Sequence, residues 1–362
     1  MKDRTSASPG PSVAGRSVLV VIPCLNEARH IEGLTLQLLE DAETIDAEIV
    51  IADGGSTDGT REIAQRLSQA HPRITFLENK RKIQSAALNQ AVELHGRDDA
   101  FLIRVDAHCL YPAHYCQTLL QEQAKTGADS VVVSMIAEGE TCFQRAVAAA
   151  QNTRLGNGGS AHRLVTSGRY ADHGHHALMR VSAYRTVGGY DESFSHNEDA
   201  ELDLRLGSAG FKIWLAGAAL IIYLPRRTPK SLLRQYFNYG MGRAKTLFKH
   251  GKRPKLRQSL PLGVAPAVVL AALAPLNPIF ALPALAWAGL CLAYGAALGF
   301  RAKSFCAAMS GVAAIIMHFG WSAGFIWAVS RLWLRRRNTK QSAALPVQGE
   351  FLAGQGRDGH PG

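Results

Sequence analysis

Between Leu204 and Gly349 this 362-residue chain has no aspartate or glutamate, and beyond them only Glu350 and Asp358. Chemistry that needs carboxylates is therefore confined to residues 1–203. No Gly-Lys-Ser/Thr occurs anywhere, which excludes a Walker loop, and no G-x-G-x-x-G follows the first apolar run, which excludes the dinucleotide fingerprint. Gly156-Asn-Gly-Gly-Ser160 cannot stand in for it, because no apolar strand precedes it. Any nucleotide must be held without either device. The six cysteines form no C-x-x-C pair and no apolar leader precedes them, so they read as reduced thiols facing the cytosol. A composition 47% hydrophobic and 19% charged excludes a disordered chain.

What is present alternates in type. Val18–Ile22 is a continuous apolar run ending at Pro23, the pattern of a fully buried parallel strand. Ile31, Leu34, Leu38 and Leu39 follow at helical spacing, and Ala47–Ala52 reads as a second strand closed by Asp53-Gly-Gly-Ser-Thr-Asp58. Helices are predicted over Thr60–Leu67, Ser85–Leu94 and from Pro112, and strands over Ile74–Leu77, Ala100–Val105 and Ser130–Met135. This alternation predicts an α/β, doubly wound parallel sheet. Ligands of such sheets bind beyond the carboxyl ends of the strands, where Asn26, Asp53 and Asp106 fall. The glycines after Asp53 allow positive φ and close approach, and Ser56, Thr57 or Asp58 can cap the following helix.

The formal charge of +11 is equalled by one stretch, Arg226 to Arg257, with eleven Lys and Arg and no acid. Beyond it, Gln258–Phe300 and Ser304–Ser330 carry no formal charge over 43 and 27 residues. A spanning helix needs about 20 apolar residues, so spans are drawn over Leu260–Asn277, Ile279–Gly299 and Phe305–Ser330. Pro261, Pro266, Pro275 and Pro278 break the first, and the positive-inside rule puts Arg335–Arg337 in the cytosol after an even number of crossings. The expected order is a flexible tail over 1–16, a catalytic domain over 17–225, a basic juxtamembrane helical segment over 226–257, membrane helices over 258–334 and a basic tail over 335–362. The basic stretch suits anionic headgroups; no nucleic-acid partner is expected, because Tyr236, Phe237 and Tyr239 are too few aromatics for that role.

Val21-Ile-Pro-Cys-Leu-Asn-Glu27, Asp53-Gly-Gly-Ser-Thr-Asp58, Val105-Asp-Ala-His108, Gly188-Gly-Tyr-Asp-Glu192 and Asn197-Glu-Asp199 together resemble the family 2 glycosyltransferases of the GT-A fold, in order and spacing over 17–225. The C-terminal extension resembles the branch that builds succinoglycan on lipid-linked sugar. The resemblance implies a nucleotide-sugar site at Pro23, Asn26, Glu27, Asp53 and Asp106, with Asp53 on the uracil ring. It implies a divalent cation, Mn2+ or Mg2+, at Asp106 and His108. Here His108 replaces the second aspartate of D-x-D, a change that suits Mn2+ better than Mg2+. Asp199 matches the general base and Glu198 is its neighbour in the motif. A helix-capping role for Asn197 or Asp199 is the plain alternative.

A single base implies direct displacement with inversion. The resemblance implies a UDP-hexose donor, UDP-glucose, and a polyprenyl-diphosphate-linked sugar acceptor, and with the apolar segments it places the chain at the bacterial inner membrane with the catalytic domain in the cytosol. The acceptor is expected at His175, His176 and Gln235, with Gly156–Ser160 and Arg163 near its phosphates. A closed zinc site at His173-Gly-His-His176 lacks the required partners. Where processive synthases carry Gln-x-x-Arg-Trp, this chain has Gln235 but then Asn238 and Tyr239, which argues against extrusion. The alternatives are a processive synthase and a membrane scaffold with a vestigial nucleotide site.

Overall fold

The computed structural model describes residues 18–159 and 168–343; the expected N-terminal tail, Ser160, Arg163 and most of the expected C-terminal tail lie outside the described residues. In chain order the elements are β1 (Val18–Cys24), α1 (Ile31–Thr44), β2 (Ala47–Asp53), α2 (Thr60–Ala70), β3 (Ile74–Glu78), α3 (Gln84–His95), β4 (Phe101–Arg104), β5 (Cys109–Leu110), α4 (Tyr115–Thr126), β6 (Ser130–Ala137), α5 (Cys142–Gln151), α6 (Arg154–Asn157), β7 (Arg169–Tyr170) and β8 (His175–Arg180). Then follow α7 (Val181–Thr186), α8 (Glu198–Ser208), β9 (Ile213–Tyr223), α9 (Pro229–Lys249), α10 (Leu256–Ser259), α11 (Val264–Ala271), α12 (Leu282–Ala302), α13 (Phe305–Ala308) and α14 (Ser310–Ala343).

The strands form one sheet in the order β3-β2-β1-β4-β8-β6-β9-β5, with β7 on β9. β1 is apolar on both sides because helices cover both faces: Val18, Val20 and Ile22 join one buried cluster, and Leu19 and Val21 the other. Burying each such side chain contributes about 1.5–3 kcal/mol. The parallel register pairs Cys24 with Asp53 and Asp53 with Glu78, which lines up the carboxyl ends of β1, β2 and β3.

The sheet is not parallel throughout. β8 runs antiparallel between β4 and β6, with Ile103 opposite Leu178. The start of β8 therefore lies beside the end of β4, and His175 arrives at the strand edge that carries Asp106. The helix expected from Pro112 begins instead at Tyr115, after His114 takes a left-handed φ of 56° that breaks the turn.

The C-terminal helices also depart from expectation. Two helical stretches are long and apolar enough to cross a membrane, Pro278–Ala302 and Phe305–Leu334. The first expected span is too short: its prolines divide it into a 3-10 turn over Leu260–Gly263 and the eight-residue α11. The two long stretches differ in surroundings, since only 11% of the first is buried in the protein against 39% of the second. α14 packs along α9 and α5, with Ala313, Ala314 and Met317 fully buried. Ser322 joins it to the segment before α11, donating to the Leu262 carbonyl at 2.9 Å and accepting from the Ala265 amide at 3.1 Å.

Cys142 and Cys306 form a disulfide between the start of α5 and α13, which corrects the reading of six reduced thiols. A separation of 164 residues leaves no local signal for that pair. Cys24, Cys109, Cys116 and Cys291 are buried and stand outside any disulfide among the described residues.

Glycines set the contact between α9 and α14. A Cβ at Gly324 would lie 1.9 Å from the Phe237 carbonyl oxygen, and one at Gly240 2.1 Å from that of Trp321. Overpacking a well-filled interface costs about 1–3 kcal/mol or more. Gly324→Val should therefore lower the thermal midpoint of the detergent-solubilised protein by several degrees. Gly289→Ala, where the added methyl meets nothing within 4 Å, should leave it unchanged. Tryptophan fluorescence on heating reads both.

Candidate active site

The edge after β1 and β2 is a pair of interlocked loops. The Asn26 amide donates to Ser56 Oγ at 2.8 Å, the Thr57 amide to Asn26 Oδ1 at 2.8 Å, and the Glu27 amide to Thr60 Oγ1 at 2.8 Å. Asp58 caps α2 from one residue before its N-cap, accepting from the Thr60 amide at 3.1 Å. Asp53 is fully buried and its carboxylate accepts from the Gly55 and Ser56 amides at 3.1 and 3.2 Å, so it shapes the glycine turn from beneath. Pro23 is partly buried within β1 and opens no such bond. Lys82, at a φ of 60°, lies across Gly55, with Nζ 3.8 Å from where a Cβ would stand. A larger residue there would compete with this lysine for the turn.

The centre of the site is Arg104, a buried guanidinium at the end of β4. Its Nε donates to Asp106 Oδ1 at 3.1 Å and its Nη1 to Tyr190 Oη at 3.1 Å; Nη1 also makes a short bond to Asp199 Oδ1. Nη2 lies 3.9 Å from Glu198 Oε1, and Tyr190 Oη donates to Asp199 Oδ1 at 2.9 Å. One cation thus gathers three carboxylates from β4 and α8. Burial alone would raise the Asp106 pKa, but Arg104, with His175 and His108, holds it well below the usual carboxylate range. Glu198 goes the other way: burial first, then the charge of Asp199, pushes its pKa up to about 7 against the pull of Arg104. This group therefore favours the folded state most below pH 4.5, and that gain is lost as pH rises towards 7.

Asn197, expected as a possible cap, does not cap α8 with its side chain. Its φ is 67° and its Nδ2 donates to Thr246 Oγ1 of α9 at 2.8 Å. α9 passes so close that a Cβ at Gly242 would lie 2.5 Å from the His196 carbonyl oxygen. Farther along, Lys249 and His250 reach the buried Glu201 of α8 at 2.6 and 2.9 Å. The motif that presents Asp199 is thus braced from behind by α9.

Asp106 Oδ1 also accepts from Gln84 Nε2 at 2.7 Å, while His175 Nε2 lies 3.5 Å from Oδ2. His175, expected on the acceptor, stands beside Asp106, as the antiparallel β8 requires, and lines one cavity with Gln235. His173 is held by Asp203 at 2.6 Å, and the side chain of His176 lies outside the described residues. His108 faces the Glu27 carboxylate at 3.1 Å, a hydrogen bond that raises its pKa against burial. Among the described residues no group of three or more His, Cys, Asp or Glu is arranged to enclose a metal. Asp106, flanked by His108 and His175, is an oxygen and nitrogen set open on one side. Such a set fits a cation whose remaining ligands are diphosphate oxygens.

A cavity of about 520 Å³ joins these parts: Asp106, Glu198 and Asp199 line it with Gln235 of α9 and Trp321 of α14. Arg104, Tyr190, Gln84 and Lys82 were not singled out from sequence. Arg104 left a signal, a charge inside the apolar run Phe101-Leu-Ile-Arg-Val105, since a charge buried in a strand must be paired.

Residues 19–188 match the family Glycosyl transferase family 2, and residues 105–336 match Glycosyl transferase family group 2. The chain is 53% identical to the succinoglycan biosynthesis protein ExoA of Rhizobium meliloti (strain 1021), over 85% of this chain and 94% of that protein. It is 24% identical to a dolichyl N-acetyl-alpha-D-glucosaminyl phosphate 3-beta-D-2,3-diacetamido-2,3-dideoxy-beta-D-glucuronosyltransferase of Methanococcus voltae, over 62% of this chain and 71% of that one. The solved mannosyltransferase PcManGT from Pyrobaculum calidifontis, in complex with GDP-Man and Mn2+, superposes with a TM-score of 0.54 at 20% identity, covering 88% of this chain and 90% of its own. At that identity the likeness speaks for the fold, a GT-A mixed sheet. With its strand-edge carboxylates and these similarities taken together, the chain is a family 2 glycosyltransferase of the ExoA type.

Proposed function

We propose that the chain transfers a hexose, glucose, from a UDP-sugar to a polyprenyl-diphosphate-linked sugar during succinoglycan-type exopolysaccharide assembly, with inversion at the transferred carbon. The observation that carries this reading is the convergence of Asp106 and Asp199 on Arg104 inside one cavity that α9 and α14 help to wall. The relative of Rhizobium meliloti, named for succinoglycan biosynthesis, supports the pathway. The relative of Methanococcus voltae, named for a dolichyl phosphate acceptor, supports a lipid carrier.

The residues divide the work. Asn26, Glu27 and the Asp53–Asp58 turn, with Pro23 before them, form the nucleotide face, and Lys82 adds positive charge above Gly55. Asp199, held through Oδ1 by Arg104 and Tyr190, takes the proton of the acceptor hydroxyl as that oxygen attacks the anomeric carbon. Glu198, neutral over much of the acid range, spares Asp199 a second negative charge at its side. Asp106, with His108 and His175 beside it, would hold a divalent cation. When bound, that cation offsets the charge developing on the departing nucleoside diphosphate. No second catalytic carboxylate is needed for a direct displacement.

The apolar α12 and the basic run from Arg226 to Arg257 support association with an inner membrane, with catalysis on the cytosolic side. Asn238 and Tyr239 stand where a processive synthase carries Arg and Trp, and Gln235 donates to Tyr239 Oη at 3.0 Å, which supports one sugar per acceptor.

Two outcomes are expected in a radiolabel transfer assay with UDP-glucose, UDP-galactose and extracted membrane lipids. Asp199→Asn should fold and bind UDP but lose transfer by about 10²–10⁴-fold, the usual worth of a general base. Wild-type turnover by this variant would return Asp199 to a structural role at the start of α8. Chelation should stop transfer, with Mn2+ restoring it at least as well as Mg2+. Full activity in chelator would remove the cation from the account.

A further inference from the structure

A second cavity lies among the apolar helices. Its volume is about 440 Å³, and Leu233 of α9, Val268 of α11, Trp287 of α12 and Ile316 and Phe319 of α14 wall it. Among the described residues that line it, only Lys230 carries a charge. Lys230 is exposed, and among the described residues its side chain has no hydrogen-bond or ion-pair partner. Arg234, its neighbour one turn on along the surface of α9, is exposed as well. The surface of the adjoining segments is apolar too, with Val269, Leu276, Ile279 and Leu282 each more than half exposed. An apolar surface of this kind marks contact with another apolar body.

The chemistry of the groove selects its occupant. A peptide would bring backbone N–H and C=O groups that these walls cannot pair, at a cost for each one. A hydrocarbon chain has no such groups, and an unpaired lysine at the rim calls for an anion on the same molecule. The groove is also closed off from the catalytic cavity. Where α14 meets α9, a Cβ at Gly320 would lie 2.9 Å from the Leu233 carbonyl oxygen, so the two backbones touch. Trp287, on the groove side, donates from Nε1 to Nδ1 of His318, a lining residue of the catalytic cavity, at 3.3 Å. An isoprenoid chain whose diphosphate lay beside Asp199 would have to cross this wall.

We propose that this groove holds one acyl chain of an anionic phospholipid, whose phosphate is bound by Lys230 with Arg234 beside it. The lysine stem lies along the apolar wall while its ammonium group stays at the headgroup. This rests on the membrane association proposed above and not on the transfer chemistry. It turns a diffuse attraction between a basic stretch and a charged surface into one site with a head and a tail.

The test is lipid binding. The full chain is placed in nanodiscs of phosphatidylcholine containing a graded minor share of either phosphatidylglycerol or phosphatidylcholine with brominated acyl chains, since bromine quenches a tryptophan that it touches. The Trp287 signal is the difference between the wild type and Trp287→Phe. Its half-quenching should come at about fivefold less brominated phosphatidylglycerol than brominated phosphatidylcholine, the worth of one cation at an anionic headgroup. Lys230→Gln should remove that preference with the thermal midpoint unchanged. Lys252→Gln, an equal loss of charge at another exposed position of the basic stretch, should keep it. Polyprenyl diphosphate without bromine should restore the fluorescence no better than phosphatidylglycerol without bromine. The other tryptophans, among them the half-exposed Trp327, report on membrane association by themselves, so their quenching in Trp287→Phe separates failure of that reading from failure of the groove. The proposal is overturned if Trp287 is not quenched or is quenched equally by the two lipids, if Lys230→Gln keeps the preference, or if Lys252→Gln loses as much of it. It is also overturned if polyprenyl diphosphate competes better, which would give the groove to the chain of the acceptor.

Discussion

Everything in the site depends on one buried cation. Arg104 sits at the end of β4, where the sheet meets α8, and it bonds to Asp106 on its own edge and to Asp199 across the cavity. Burial of a lone guanidinium is strongly unfavourable, and burial of two neighbouring carboxylates without it is no better. Together they form a compact network with Tyr190, and the balance remains acidic because two carboxylates, Asp106 and Asp199, face one guanidinium. Glu198 answers by holding its proton up to about pH 7.

The second constraint is the way α9 and α14 close the cavity. Small residues let their backbones meet: Gly240, Gly320 and Gly324 each face main-chain atoms of the other helix. His318 of α14 reaches the Leu155 carbonyl at 2.7 Å, so this apolar helix is bonded to the catalytic domain itself. The Cys142–Cys306 disulfide joins the same two parts. Chemistry and membrane-type helices thus share one wall.

Much of this was legible in the residues. The apolar runs ending at Pro23, Asp53 and Asp106 lie within two residues of the ends of β1, β2 and β4, because a strand covered on both faces has to be continuously apolar. The motif at Asn197–Asp199 located the carboxylate on α8. What escaped were features set by long-range pairing. No strand was legible over His175–Arg180, so the nearness of His175 to Asp106, which follows from β8 running antiparallel beside β4, was not legible either. Tyr190 was legible as part of a turn motif but not as a partner of Asp199, since that bond depends on how α8 docks. The disulfide was invisible for the same reason, whereas the break in the first drawn span was legible in its prolines.

Arg104 favours the ionised form of the carboxylates it faces, and the pH dependence of kcat/KM for Arg104→Gln against the wild type measures this. Removing the cation raises the proton affinity of the carboxylates it faced, so the base is lost at a higher pH. The predicted result is a lower rate with its acidic limb displaced to higher pH. An acidic limb at the same pH as the wild type, with the rate preserved, would contradict the account.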